Sequence, residues 1–186
     1  MIPVIDLFAG PGGLGEGFSS LRDAENKPVF QTIMSIERDK QAHQTLRLRS
    51  YLRKIAEPDG TLPRVYLRYM KKHDNETFDQ LIRYRPKEWQ AACEEALCYE
   101  LFDGDDRLVK LVTRWFEDRD RGPLVLIGGP PCQAYSLVGR SRRKHDITFE
   151  EDPKHTLYRC YLSFINELKP DVFVMENVKG LLSAKH

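Results

Sequence analysis

Val4-Ile5-Asp6-Leu7-Phe8-Ala9-Gly10-Pro11-Gly12-Gly13-Leu14-Gly15-Glu16-Gly17-Phe18 begins as a short apolar strand and turns through glycines into a helix. Five glycines fall within the eight residues from Gly10 to Gly17, removing side chains where the backbone must approach something closely. The helix that follows presents free N–H groups and a positive dipole end, a setting that suits a carboxylate or phosphate. Working outward, Thr32–Ile36, Leu124–Ile127 and Val172–Met175 are further apolar runs that read as buried strands alongside Val4–Phe8. Helical spacing appears in Leu14–Leu21, Asp39–Ile55 and His155–Leu168. The last of these puts Leu157, Tyr161, Phe164, Ile165 and Leu168 on one face. This succession predicts an α/β fold: a doubly wound, Rossmann-like, mostly parallel sheet.

Glu37 follows Gly13 by 24 residues, at the end of the second strand, where a carboxylate can accept both hydroxyls of a ribose. An ordinary strand-end carboxylate looks the same. At this point NAD and S-adenosylmethionine both remain open as ligands. The stretch 51–121 breaks at Pro58, Pro63 and Pro86 into charged amphipathic pieces and reads as a helical insertion with a solvated face. With 186 residues, 41% hydrophobic and 31% charged, the chain suits one domain. A net charge of +1 means that any nucleic-acid contact must come from a local basic patch. No apolar run reaches the roughly 18–20 residues of a membrane span. The first residues lack the basic region of a secretion signal. Cys93, Cys98, Cys132 and Cys160 follow neither disulfide nor zinc spacing, so a metal-free cytoplasmic protein is expected.

Leu124-Val125-Leu126-Ile127-Gly128-Gly129-Pro130-Pro131-Cys132-Gln133-Ala134-Tyr135-Ser136 separates the two ligands. It mounts a cysteine just past a strand's carboxyl end, where sheets of this kind place their ligands. The prolines fix φ before the cysteine and the glycines allow the turn, an arrangement fit for a nucleophile held in one position. A structural cysteine is normally buried in an apolar element. A NAD-dependent oxidoreductase has no use for this loop.

Taken together, Asp6–Phe18, Gly129–Ser136 and Met175-Glu176-Asn177-Val178 resemble the first, fourth and sixth signature motifs of the carbon-5 cytosine-specific DNA methyltransferases, in the family's order. The resemblance implies S-adenosylmethionine as cofactor and double-stranded DNA as partner. It implies that Cys132 adds as a thiolate to carbon 6 of a flipped cytosine. Glu176 would hydrogen-bond ring nitrogen 3 and the exocyclic amine, and Asn177 would order the loops around it. A carboxyl group that must carry or share a proton is expected to be buried. Phe8, Gly10, Gly12, Gly13 and Leu14 would line the cofactor pocket, with Glu37 on the ribose and Pro130 near the methionine end. Leu157 matches the fifth motif, whose leucine packs near the cofactor; plain core packing is the competing reading.

An acidic residue for the adenine amine is sought at Asp103 or Asp105, where a surface turn is an equal reading. After Cys132, Gln133, Ser136, Arg140, Arg142 and Arg143 supply the local basic patch for phosphate and base contacts, against the plainer reading of a solvated loop. The resemblance also implies an eighth motif, a target-recognition region and two closing motifs, none of which the sequence shows. The expectation is therefore a partial catalytic domain over residues 1–186, either truncated or completed by a second chain. Two alternatives stand: a transfer RNA cytosine methyltransferase, which shares these motifs, and a non-catalytic binding or regulatory subunit that kept the fold. Cys132 and Glu176, both intact, argue against the latter.

Overall fold

Apolar runs form parallel strands where helices cover the sheet, and the central strands of this chain are buried in that way. The computed structural model describes residues 1–102, 104, 106–117, 122–131 and 157–177. Its strands are β1 (Ile2–Leu7), β2 (Phe30–Glu37), β3 (Ala96–Cys98), β4 (Val125–Gly128) and β5 (Val172–Met175). They lie in the order β3-β2-β1-β4-β5, and every pairing is parallel. The chain winds outward from β1 through β2 to β3, then returns to the other side of β1 for β4 and β5. The crevice outside the carboxyl ends of β1 and β4 is thus the switch point, where ligands bind in open α/β sheets.

Seven helices are described: α1 (Gly13–Ser20), α2 (Lys40–Ile55), α3 (Arg64–Lys72), α4 (Asn75–Tyr84), α5 (Pro86–Glu95), α6 (Arg107–Glu117) and α7 (Leu157–Leu168). Alternation along β1 divides the core. Ile5 and Leu7 pack with Val112 of α6 and with Tyr161 and Phe164 of α7. Val4 points the other way, with Val125 and Ile127, against Leu14 and Phe18 of α1. Helix starts follow side-chain chemistry. Asp39 caps α2 by accepting from the amides of Gln41 and Ala42, and Asp74 caps α4 through Thr77.

The expected strands appear within two residues of the predicted limits, and Val172–Met175 coincides with β5, but Val172, Phe173 and Val174 are exposed where burial was expected, because β5 is the edge strand among the described residues. The stretch 51–121 holds α3 to α6 and also β3, a strand that periodicity did not indicate. β3 has three residues, so its apolar run is too short to register. A second cluster, built from Tyr51, Ile55, Leu81 and Ala92 with Phe78 and Trp89, joins α2, α4 and α5. The charges of the stretch are not all solvated: Glu95 is buried.

Candidate active site

At the end of β1 the backbone of Phe8 takes a left-handed φ of 56°, a conformation that bulky residues keep only under tertiary constraint. Two contacts impose it. Ala9 N–H donates to Ile36 O at 2.9 Å, and Gly10 N–H donates to Glu37 Oε2 at 2.8 Å. The other oxygen, Glu37 Oε1, accepts from Asp39 N–H at 2.7 Å. Glu37 therefore ties the glycine turn to the tip of β2, and each oxygen keeps a lone pair for another donor. Gly12 has φ 89°, and a β-carbon there would lie 2.8 Å from Leu46 Cδ1, so this glycine also lets α2 approach. Gly13 begins α1, while Leu14 turns inward against Val4 and Ile127.

A cleft opens beside this turn. Phe8, Ile36, Tyr99 and Leu101 give it an apolar and aromatic wall, and Glu37 brings a carboxylate. Gly129, Pro131 and Leu157 complete its lining. Arg38 and Glu100 pair at 2.6 Å across the rim. Tyr99 N–H donates to Glu37 O at 3.1 Å, which fixes the wall to β2. Sequence reasoning missed Arg38, Tyr99, Glu100 and Leu101. Arg38 directly follows β2, and the other three lie just past the carboxyl end of β3, a strand too short to be recognised. Asp103 and Asp105 lie outside the described residues.

The tips of β4 and β5 meet at the cleft. A β-carbon on Gly128 would stand 2.2 Å from Leu7 O, so only glycine lets β1 and β4 come this close. A β-carbon on Gly129 would stand 3.1 Å from Glu176 Oε2; the carboxyl group rests against the Gly129 backbone. Glu176 N–H donates to Gly128 O at 2.9 Å, and Asn177 Nδ2 donates to Pro130 O at 3.3 Å. Tyr161 staples the strands by sharing its hydroxyl proton between Leu126 O at 3.1 Å and Val174 O at 3.0 Å. Burial, aided by the Asp6 charge, pushes that phenol above its usual range.

Of the residues singled out in the sequence, Phe8, Glu37 and Leu157 line the cleft, while Glu176, Asn177 and Pro130 lie together next to its Gly129 lining. Gly10 joins them through Glu37. Glu176 is exposed, whereas burial was expected. Cys132, Gln133, Ser136, Arg140, Arg142 and Arg143 lie outside the described residues.

Beneath the glycine turn, Asp6 is 1% exposed, and burial pushes its carboxyl group up to about 7. The Gly15 amide and the Arg53 charge oppose that rise, and Glu37 adds to it. Neither carboxyl oxygen has a partner in good hydrogen-bond geometry; the Gly15 amide is near enough to influence the proton without a well-formed bond. Among the described residues, no group of three or more His, Cys, Asp or Glu could hold a metal ion. No described helix is long and apolar enough to cross a membrane.

Comparison with known proteins supplies the context for this geometry. The family described as C-5 cytosine-specific DNA methylase matches residues 116–186. Over 98% of its length the chain is 33% identical to the type II methyltransferase M.Bpa9945I of Bacillus paralicheniformis, of which it covers 42%. It is 28% identical to the type II methyltransferase M.DdeI of Desulfomicrobium norvegicum, covering 98% of this chain and 29% of that protein. The type II methyltransferase M.AgeI of Thalassovita gelatinovora is 42% identical across 32% of this chain and 12% of its own length. The chain therefore spans less than half the length of these relatives.

Proposed function

The chain belongs to the C-5 cytosine-specific DNA methylase family, and from that premise we propose that it transfers a methyl group from S-adenosylmethionine to carbon 5 of a cytosine in DNA. The observation that carries this reading is the meeting of Glu176 and Asn177 with the Gly129–Pro131 segment, beside a cleft walled by Phe8 and based on Glu37.

The cleft suits the cofactor by its chemistry. Phe8, Tyr99 and Leu101 offer aromatic and apolar surface to a purine, and Glu37 offers a carboxylate to a ribose diol. Bound there, S-adenosylmethionine would supply an electrophilic methyl group on a sulfonium. Gly129, Pro131 and Leu157 would complete the lining and exclude water from it.

The chain's own residues would do the rest. Carbon 5 of cytosine is a poor nucleophile until the ring is made an enamine. Cys132, as a thiolate, adds to carbon 6 of a base turned out of the duplex. Glu176 donates a hydrogen bond to ring nitrogen 3 and accepts from the exocyclic amine, so charge entering the ring is neutralised as it develops. After methylation the proton on carbon 5 is lost and the bond from Cys132 to carbon 6 breaks, restoring the thiolate and the aromatic ring. Because Glu176 is exposed, the arriving base provides the desolvation that this hydrogen bond needs. Asn177 holds the Pro130 carbonyl and so keeps the cysteine loop in register with Glu176. Gln133, Ser136, Arg140, Arg142 and Arg143 follow the nucleophile and would take the phosphates and the edges of the opened site.

The test is covalent trapping. The protein, labelled S-adenosylmethionine, and DNA or RNA carrying 5-fluorocytosine should give a stable adduct, because fluorine blocks the final elimination. DNA should be trapped and the Cys132→Ser variant should trap nothing. An adduct that survives Cys132→Ser overturns the assignment of the nucleophile, and adducts with RNA alone overturn the substrate.

A further inference from the structure

Charged residues in the last turns of α2 and α5 form a partly buried cluster that the reading above does not use. Glu95 is the last residue of α5, and its side chain is 7% exposed. A carboxylate at a helix C-terminus opposes the dipole of its own helix, so it requires cations. Two are present. Arg53 Nη2 donates to Glu95 Oε1 at 2.6 Å, and Lys54 pairs with Glu95 Oε2 while also donating to Ser50 Oγ at 3.3 Å. Arg53 reaches further. Its Nη1 pairs with Glu16, in the first turn of α1, three residues after Gly13. The same cation is close enough to the buried Asp6 carboxyl group, beneath Gly15, to stabilise its charge.

A planar guanidinium suits this task, because its two ends engage carboxylates on different elements at once, which an ammonium cannot do in the same geometry. Stability is a weak account of the arrangement, since a buried ion cluster is commonly no better than apolar packing of the same volume. What the cluster does fix is position. α1 has no side-chain hydrogen bond at its N-cap Gly12, and the turn before it is rich in glycine. The Glu16–Arg53 pair is a lateral restraint on the helix that begins inside that turn.

We propose that Arg53 is a positioning residue for the glycine turn, coupling the segment that ends in Glu95 to the cofactor cleft by holding α1 at Glu16. The functional consequence rests on the cofactor reading given above; the positional one does not.

The test therefore has two arms on the intact chain. Hydrogen exchange of the cofactor-free protein is followed by mass spectrometry for Arg53→Met, Arg53→Lys and Glu16→Gln. Arg53→Met should speed exchange of the amides in 10–17 by about tenfold, the scale of one lost charged hydrogen bond, while β4 stays as protected as in the wild type. Arg53→Lys should fall between, and it serves if Arg53→Met does not fold. Glu16→Gln should reproduce the local effect, and adding it to Arg53→Met should change little. Calorimetric titration should show S-adenosylmethionine binding weakened by a similar factor. Unchanged exchange in 10–17, or faster exchange spread evenly over the chain with a lower Tm, overturns the proposal. A wild-type chain that takes up no S-adenosylmethionine overturns the cofactor reading instead, and the exchange arm still decides the role of Arg53.

Discussion

Asp6 is the residue whose burial asks most of the fold. It sits in the middle strand, under α1, where its oxygens lack well-aligned donors and Arg53 acts on it by charge alone. Its carboxyl group is raised from 3.8 to about 7, chiefly by burial. A pKa higher in the folded than in the unfolded chain means the protonated form is the one that folding favours. Its contribution is full below about pH 4 and is progressively lost as pH rises to about 7. Asp6→Asn keeps the shape and cannot ionise, so it should escape that loss. Urea denaturation of both proteins at pH 4.5 and pH 8 is the measurement. The variant should gain on the wild type by a few kcal/mol over that interval, each pK unit being worth about 1.4 kcal/mol. Parallel profiles would mean that Asp6 finds a partner that the static structure does not display. The acidic character of Asp6 was legible in the sequence, but its solitude was not, since one chain gives no account of which amides point where. The same limit applies to Gly12 and Gly128. Their absence of a side chain could be read, but not that Leu46 and the Leu7 carbonyl are what demand it.

At the scale of elements, legibility followed run length. β1, β2, β4 and β5 are apolar stretches long enough to announce themselves, and the helices between them carry caps such as Asp39 that can be read directly. β3 could not be read, and with it went Tyr99, Glu100 and Leu101, the part of the cleft that it delivers. The join between α4 and α5 shows another feature hidden from pattern. Tyr51 on α2 is wholly buried, and its hydroxyl donates to Leu81 O at 2.8 Å while accepting from Arg85 N–H at 3.2 Å. Leu81 is in the last turn of α4 and Arg85 precedes α5, so one phenol satisfies backbone groups that the break between two helices leaves unpaired. Tyr51→Phe removes the hydroxyl and keeps the ring. It should cost about 1–3 kcal/mol, chiefly by leaving the buried Leu81 carbonyl unsatisfied. For a chain of this length that is roughly a 3–10 °C fall in Tm. Calorimetry is the check, with far-UV circular dichroism showing the helices intact. A change under 1 °C would show that water replaces the hydroxyl at no cost.

Across the whole molecule, the end of β1, the tip of β2 and the segments that follow β3 and β4 come from distant parts of the chain and line one cleft at the carboxyl edge of the sheet. A ligand that touches all of them binds only the folded state, so it must raise stability by mass action. At a hundred times its Kd, S-adenosylmethionine should add about 2.7 kcal/mol, which for a chain of this size is a rise in Tm of roughly 5–10 °C. The variants should divide by what they touch. Cys132→Ser alters the proposed nucleophile, which is not among the residues proposed to hold the cofactor, and should keep the full rise. Glu37→Ala deletes the carboxylate proposed to meet the ribose and also releases Gly10 N–H and Asp39 N–H, so its rise should shrink or vanish. Its Tm without ligand measures the structural share of that loss, and the ligand-induced increment isolates the share that belongs to binding. Equal increments in Glu37→Ala and the wild type would place the cofactor elsewhere than the cleft between β1 and β2, whatever chemistry Cys132 performs.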